Sequence, residues 1–99
     1  MSHYTKAAQY VRTFKPVDLN TDRDPWTRQK RESHQAFEAF CIYRDMGPAR
    51  SQTKVAEILG KSPGLMNRWC RQWQWVYRAA AWDAEIDRLN LVARAEAVK

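Results

Sequence analysis

The stretch KVAEILGKSPGLMNRWCRQW, residues 54–73, decides the fold. Val55, Ala56 and Leu59 follow helical spacing until Gly60, a residue suited to the left-handed turn that ends a helix. Ser62-Pro63 then supplies an N-cap and a proline at the first helical position. The apolar stripe resumes as Met66, Trp69, Cys70 and Trp73. The pattern predicts one helix over residues 53–59 and a second from Pro63 to about Trp73, joined by roughly three residues in helix-turn-helix fashion. Ala56 is small where the two helices cross, and Val55, Leu59, Met66 and Trp69 supply the contact that fixes their angle.

Upstream, Ala36, Phe37, Phe40, Cys41 and Arg44 recur at helical spacing. They predict a helix from Ser33, as N-cap, to Asp45, stopped by Gly47-Pro48. Downstream, the stripe changes phase near Gln74. From Trp75 onward Trp75, Ala79, Trp82, Ile86, Leu89 and Ala93 repeat in steps of 4, 3, 4, 3 and 4, a heptad seam that serves oligomerisation or packing. At the other end, Ala7, Ala8, Val11 and Phe14 fit a short helix over residues 4–14, broken by Pro16 and the polar run 18–24. The expected organisation is all-α: a mobile polar and basic arm (1–24), a helix-turn-helix bundle (25–74) and a long C-terminal helix (75–99).

Ninety-nine residues make one small domain, and 44% hydrophobic with 28% charged residues is ordinary for a soluble chain. No apolar run approaches the ~20 residues that cross a bilayer. The N-terminus lacks the apolar stretch and cleavage site of a secretory signal, so a cytoplasmic protein without membrane contact is expected. Cys41 and Cys70 stand far apart with no histidine at ligand spacing, and read as free buried thiols with no metal. Asp83 and Asp87, one turn apart, read as surface ion-pair partners of Arg78, Arg88 and Arg94. His3 and His34 lack an acid or nucleophile at suggestive spacing, and there is no glycine-rich phosphate loop. A non-catalytic protein without cofactors is expected.

Net charge is +6. Residues 1–32 and 33–74 each carry +3, whereas residues 75–99 are neutral, so the basic excess stops where the last helix begins. A basic balance favours polyanionic partners. The outward face of the helix from Pro63 holds Asn67, Arg68 and Arg71, with Gly64 leaving room at its start. Arginine reads guanine bidentately and asparagine reads adenine in the major groove of double-stranded DNA. Arg50, Lys54 and Lys61 suit phosphates, and Ser62 completes the set at the helix start. Arg28, Lys30 and Arg31 add salt-sensitive contacts. The tryptophans of residues 69–82 read as core and interface, leaving Trp26, among polar neighbours, as the one candidate for an exposed stacking ring.

The blocks ES-x-x-AF-x-AF at 32–40, YRDMGPARS at 43–51, KVAEILGKS at 54–62 and LMNRWCRQWQWVYRAAAWD at 65–83 resemble the small subunit of phage terminase and the phage helix-turn-helix proteins encoded beside it. The resemblance implies a non-catalytic packaging protein that binds the initiation site on viral DNA, oligomerises through a helical region and recruits the terminase large subunit. Residues 54–73 are then the DNA-binding motif, and the helix from Trp75 begins oligomerisation. This chain stops within the heptad helix, where family members usually continue. Two other readings stand beside it: a small phage or mobile-element transcription regulator binding a palindrome as a dimer, and an adaptor that docks a terminase subunit without specific DNA recognition.

Overall fold

A computed structural model describes residues 16–98. The helix expected over residues 4–14 lies outside the described residues. Four α-helices occur, and no strand among the described residues: α1 (His34–Asp45), α2 (Gln52–Leu59), α3 (Pro63–Gln72) and α4 (Trp75–Ala97). The expected all-α class is what the chain adopts.

The first three helices, but not α4, each begin on a side-chain cap. Ser33 Oγ accepts from the Ala36 amide, Ser51 Oγ from Lys54 and Ser62 Oγ from Leu65, so each hydroxyl takes one of the amides that the first turn leaves unpaired. Gly47 and Pro48 do stop α1, but they fold into a single 3-10 turn, Gly47–Ala49, before α2. Gly60 takes φ 66° and ψ 33°, and the Lys61 amide reaches back 3.0 Å to the Ala56 carbonyl. That closure ends α2 and leaves three residues, Gly60 to Ser62, before α3. At the next break Gln74 is left-handed (φ 52°), an uncommon state for a residue with a β-carbon. It is pinned there from outside the helices: the Val17 amide donates to the Gln72 carbonyl, and Gln74 Nε2 donates to the Val17 carbonyl.

The core is aromatic. Ala36, Ala39, Phe40 and Tyr43 line the buried face of α1, meeting Val55 and Ala56 of α2, Met66 and Cys70 of α3, and Trp75 and Ala79 of α4. Trp75 is its centre, tilted against Tyr43 (centroids 5.1 Å apart) and Phe40 (6.2 Å). Such tilted pairs add roughly 0.5–1.5 kcal/mol each beyond the area they bury.

Two boundaries move. Within the stretch expected as a mobile arm, residues 16–24 contact the rest of the chain: besides Val17, the Asn20 amide donates to Gln29 Oε1, and Asn20 Oδ1 accepts from the Lys30 amide. Nor does the bundle end at residue 74. Trp75 and Ala79, expected on an oligomerisation seam, are 0% and 1% exposed, because the first turns of α4 close the same core as α1–α3. Burial falls away beyond them. Trp82 and Ile86 are half-buried, and every described residue from Asp87 on is exposed.

Candidate nucleic-acid interface

α3 divides cleanly. Met66 and Cys70 point inward with Trp73 just beyond, while Ser62, Gly64, Asn67, Arg68 and Arg71 are all exposed. From Gly64 through Asn67 and Arg68 to Arg71 the steps are three or four residues, so these four form one ridge. Lys54 is exposed on the first turn of α2, and Lys61 is half-buried in the connection. α3 contains no acidic residue, and residues 51–73 carry four cations against the single anion Glu57. Lys54, Lys61 and Arg71 form no ion pair with another described residue. The expected α3 residues, with Lys54 and Lys61, thus share the two-helix unit α2–α3.

Arg50 does not join them. Its Nη1 and Nη2 grip both carboxylate oxygens of Asp83 at 2.6 and 2.8 Å, and its remaining donors bind the Tyr43 and Arg44 carbonyls. The side chain is only 15% exposed. Arg50 therefore ties the end of α1 to α4, and its guanidinium is spent there rather than held out for phosphate. The contact holds the Asp83 carboxyl below its ordinary range, the Arg50 hydrogen bond being the main cause. It also overturns the expected partners of Asp83, since Arg88 pairs with Glu85 instead.

Arg78 departs furthest from its expected surface role. It is fully buried and paired with Glu32, which is buried too. Trp26 is not an open stacking ring: it leans on Trp82 at 5.9 Å, the Arg44 guanidinium lies 4.8 Å from the centre of the Trp82 ring, and Arg44 Nη1 donates to the Trp26 carbonyl. Arg28 and Lys30 are also engaged, Arg28 with the Glu32 carbonyl and Lys30 with Asp22.

Between α1 and α4 a shallow groove of about 380 Å³ is lined by Arg44, Asp45, Gly47, Pro48, Trp82, Asp83, Ile86 and Asp87. Three carboxylates make it unsuited to a polyanion. No group of three metal-ligating side chains occurs among the described residues. Cys41 and Cys70 are free thiols, both pushed up in pKa mainly by burial and so poor nucleophiles near neutral pH.

No protein-family model matches the chain, and no curated protein or solved structure matches it.

Proposed function

We infer that the chain is a non-catalytic helix-turn-helix protein that binds double-stranded DNA, with α3 in the major groove. The observation that carries this reading is the exposed ridge Gly64–Asn67–Arg68–Arg71 on a helix with no acid, beside Lys54 and Lys61. Asn67, Arg68 and Arg71 read base edges, and Lys54 and Lys61 hold phosphates and set the register. Within this reading the resemblance to terminase small subunits favours packaging-site DNA as the target and the terminase large subunit as the onward partner, in a cytoplasmic setting.

A second reading is a dimeric transcription regulator, in which Trp75 and Ala79, buried in the chain's own core, take no part in the contact. Those residues leave only the outer part of the seam, Trp82, Ile86, Leu89 and Ala93, uncovered by the bundle core. The exposed apolar residues Leu89, Leu91 and Val92 suit a protein partner for α4 in either case.

Fluorescence anisotropy on duplexes flanking the gene and on scrambled controls, at about 50 and about 200 mM salt, tests DNA recognition. Wild type is expected to prefer the native duplex, and Arg68→Ala/Arg71→Ala, checked for helicity, is expected to lose that preference. Equal, weak binding to both duplexes that the double substitution leaves unchanged overturns the reading. A palindromic site favours the regulator, and a repeated non-palindromic array favours packaging.

A further inference from the structure

α4 carries a second face that its heptad seam conceals. Opposite Trp75, Ala79, Trp82 and Ile86 lie Ala84, Leu91, Ala95 and Val98, all exposed, with Leu91 at 63% and Val98 at 86%. Beside Leu91 on this side, Asp87, Asn90 and Arg94 complete a shallow depression of about 300 Å³.

The charges in this patch are unpaired in a particular way. Asp87 and Arg94 lie two helical turns apart, too far to meet along one helix, where only residues three or four apart are neighbours. No charged residue of the opposite sign stands three or four positions from either. Neither forms an ion pair with another described residue. Being seven residues apart, they occupy nearly the same side of the helix, with Asn90 and Leu91 midway between them.

We propose that this outer face of α4 binds a second copy of the chain, antiparallel, about a two-fold axis passing between Asn90 and Leu91. That axis sets Asp87 of each copy level with Arg94 of the other, on the same flank, giving two identical ion pairs. It brings the two Leu91 side chains within one residue's rise of each other at the centre and sets Val98 of each copy within one residue's rise of Ala84 of the other, large against small. The small side chains of Ala84 and Ala95 let the helices approach closely. A parallel pairing has none of this, because it sets Asp87 level with Asp87 and Arg94 level with Arg94 on opposite flanks, and no ion pair forms. The contact is isologous, so the same patch serves both copies and the assembly closes as a dimer. The overlap, residues 83–98, is about 24 Å of helix at ~1.5 Å per residue. Such a strip falls in the small, transient class of interface, so association is weak and concentration-dependent. Neither the pairing nor its test depends on DNA binding by α3, though a two-fold pair would present two copies of α3 to a palindrome.

Sedimentation equilibrium of the whole chain without DNA, over micromolar to millimolar concentration, tests the proposal. Wild type is expected to show a reversible monomer–dimer equilibrium. Leu91→Glu and Asp87→Arg should each weaken it by about tenfold or more, by burying a charge or facing like charges. Both sites are exposed in the monomer, and circular dichroism confirms that the variants fold. Asp87→Arg/Arg94→Asp restores opposite charges only in the antiparallel register and should recover dimerisation. Leu89→Glu, on the core-facing side of the helix, should leave it unchanged. A monomer at every concentration overturns the proposal. So does a double exchange no better than the single one, or a dimer sensitive to Leu89→Glu but not to Leu91→Glu, which would place a partner copy on the inner seam.

Discussion

Arg78 and Glu32 form a two-pronged ion pair from which water is excluded on both sides: Nη1–Oε2 is 2.8 Å, Nη2–Oε1 is 3.0 Å, and both side chains are 0% exposed. A buried charge is tolerable only when its hydrogen bonds are complete. Arg78 meets that condition. Its other contacts run from Nε to the Pro25 carbonyl, from Nη1 to Trp73 and from Nη2 to Thr27, which occupies all five guanidinium donors. The guanidinium also lies 4.0 Å from the centre of the Phe40 ring. One side chain thus fastens the segment before α1 to the start of α4.

Breaking the pair should be severe. Arg78→Met strands the Glu32 carboxylate, a change of about 3–5 kcal/mol against a total stability of about 5–15 kcal/mol for such a domain. Thermal unfolding followed by circular dichroism should show a drop of well over 10 °C. Glu32→Leu/Arg78→Met should recover only part of it, because the Pro25 and Trp73 carbonyls still lose their donor. Full recovery would mean that those carbonyl contacts contribute nothing.

Arg50 and Asp83 form the partly exposed counterpart, and their contribution should follow pH. The folded-state pKa of Asp83 is lowered, chiefly by the Arg50 hydrogen bond. Its stabilisation is therefore complete above the ordinary carboxylate range and is lost as pH falls through the depressed value. Asp83 is half exposed, so solvent limits the effect to about 1 kcal/mol or less. Asp83→Asn should lower the Tm by a few degrees at pH 7 and by less at pH 3. An equal deficit at both values would show that the ion pair is not its origin.

The residues legible in advance were those whose signals are local. Ser33, Gly60 and Ser62-Pro63 mark helix ends through neighbours within a turn, and the observed boundaries fall within a residue or two of those expected. The outward placement of Asn67, Arg68 and Arg71 followed from the same periodicity. The fates of Arg50 and Arg78 did not, since each is set by a carboxylate 33 or 46 positions away. The heptad from Trp75 to Ala93 misled for a related reason. Its spacing is unchanged where the helix leaves the core, so periodicity alone does not separate Trp75, wholly buried, from Leu89, 46% exposed.

Two glycines of the α2–α3 unit should respond oppositely to alanine. Gly60 needs its positive φ, and a β-carbon there meets nothing within 4 Å. Gly60→Ala should therefore lose about 1–2 kcal/mol through backbone strain alone, read by urea unfolding. Gly64 has an ordinary φ on α3 and open space around it. Gly64→Ala should stabilise the free protein by roughly 0.5–1 kcal/mol. Where Gly64 faces DNA closely, the same variant should bind DNA more weakly. A variant more stable and unchanged in binding would remove Gly64 from the interface.

Base reading and phosphate holding separate by salt dependence. Lys54→Ala and Lys61→Ala should weaken binding to every duplex alike, and each should reduce the slope of log K against log salt by about 1. Asn67→Ala changes no charge, so its slope should stay at the wild-type value while discrimination at one base pair falls by about 1–3 kcal/mol. Arg71→Ala should show which group it joins: a reduced slope with specificity intact assigns it to phosphate, and relaxed specificity at one position assigns it to a base. Arg50→Ala supplies the contrast. With its guanidinium locked to Asp83, its loss should lower stability and leave the salt slope alone; a slope reduced by a full unit would show that Arg50 releases Asp83 to reach DNA.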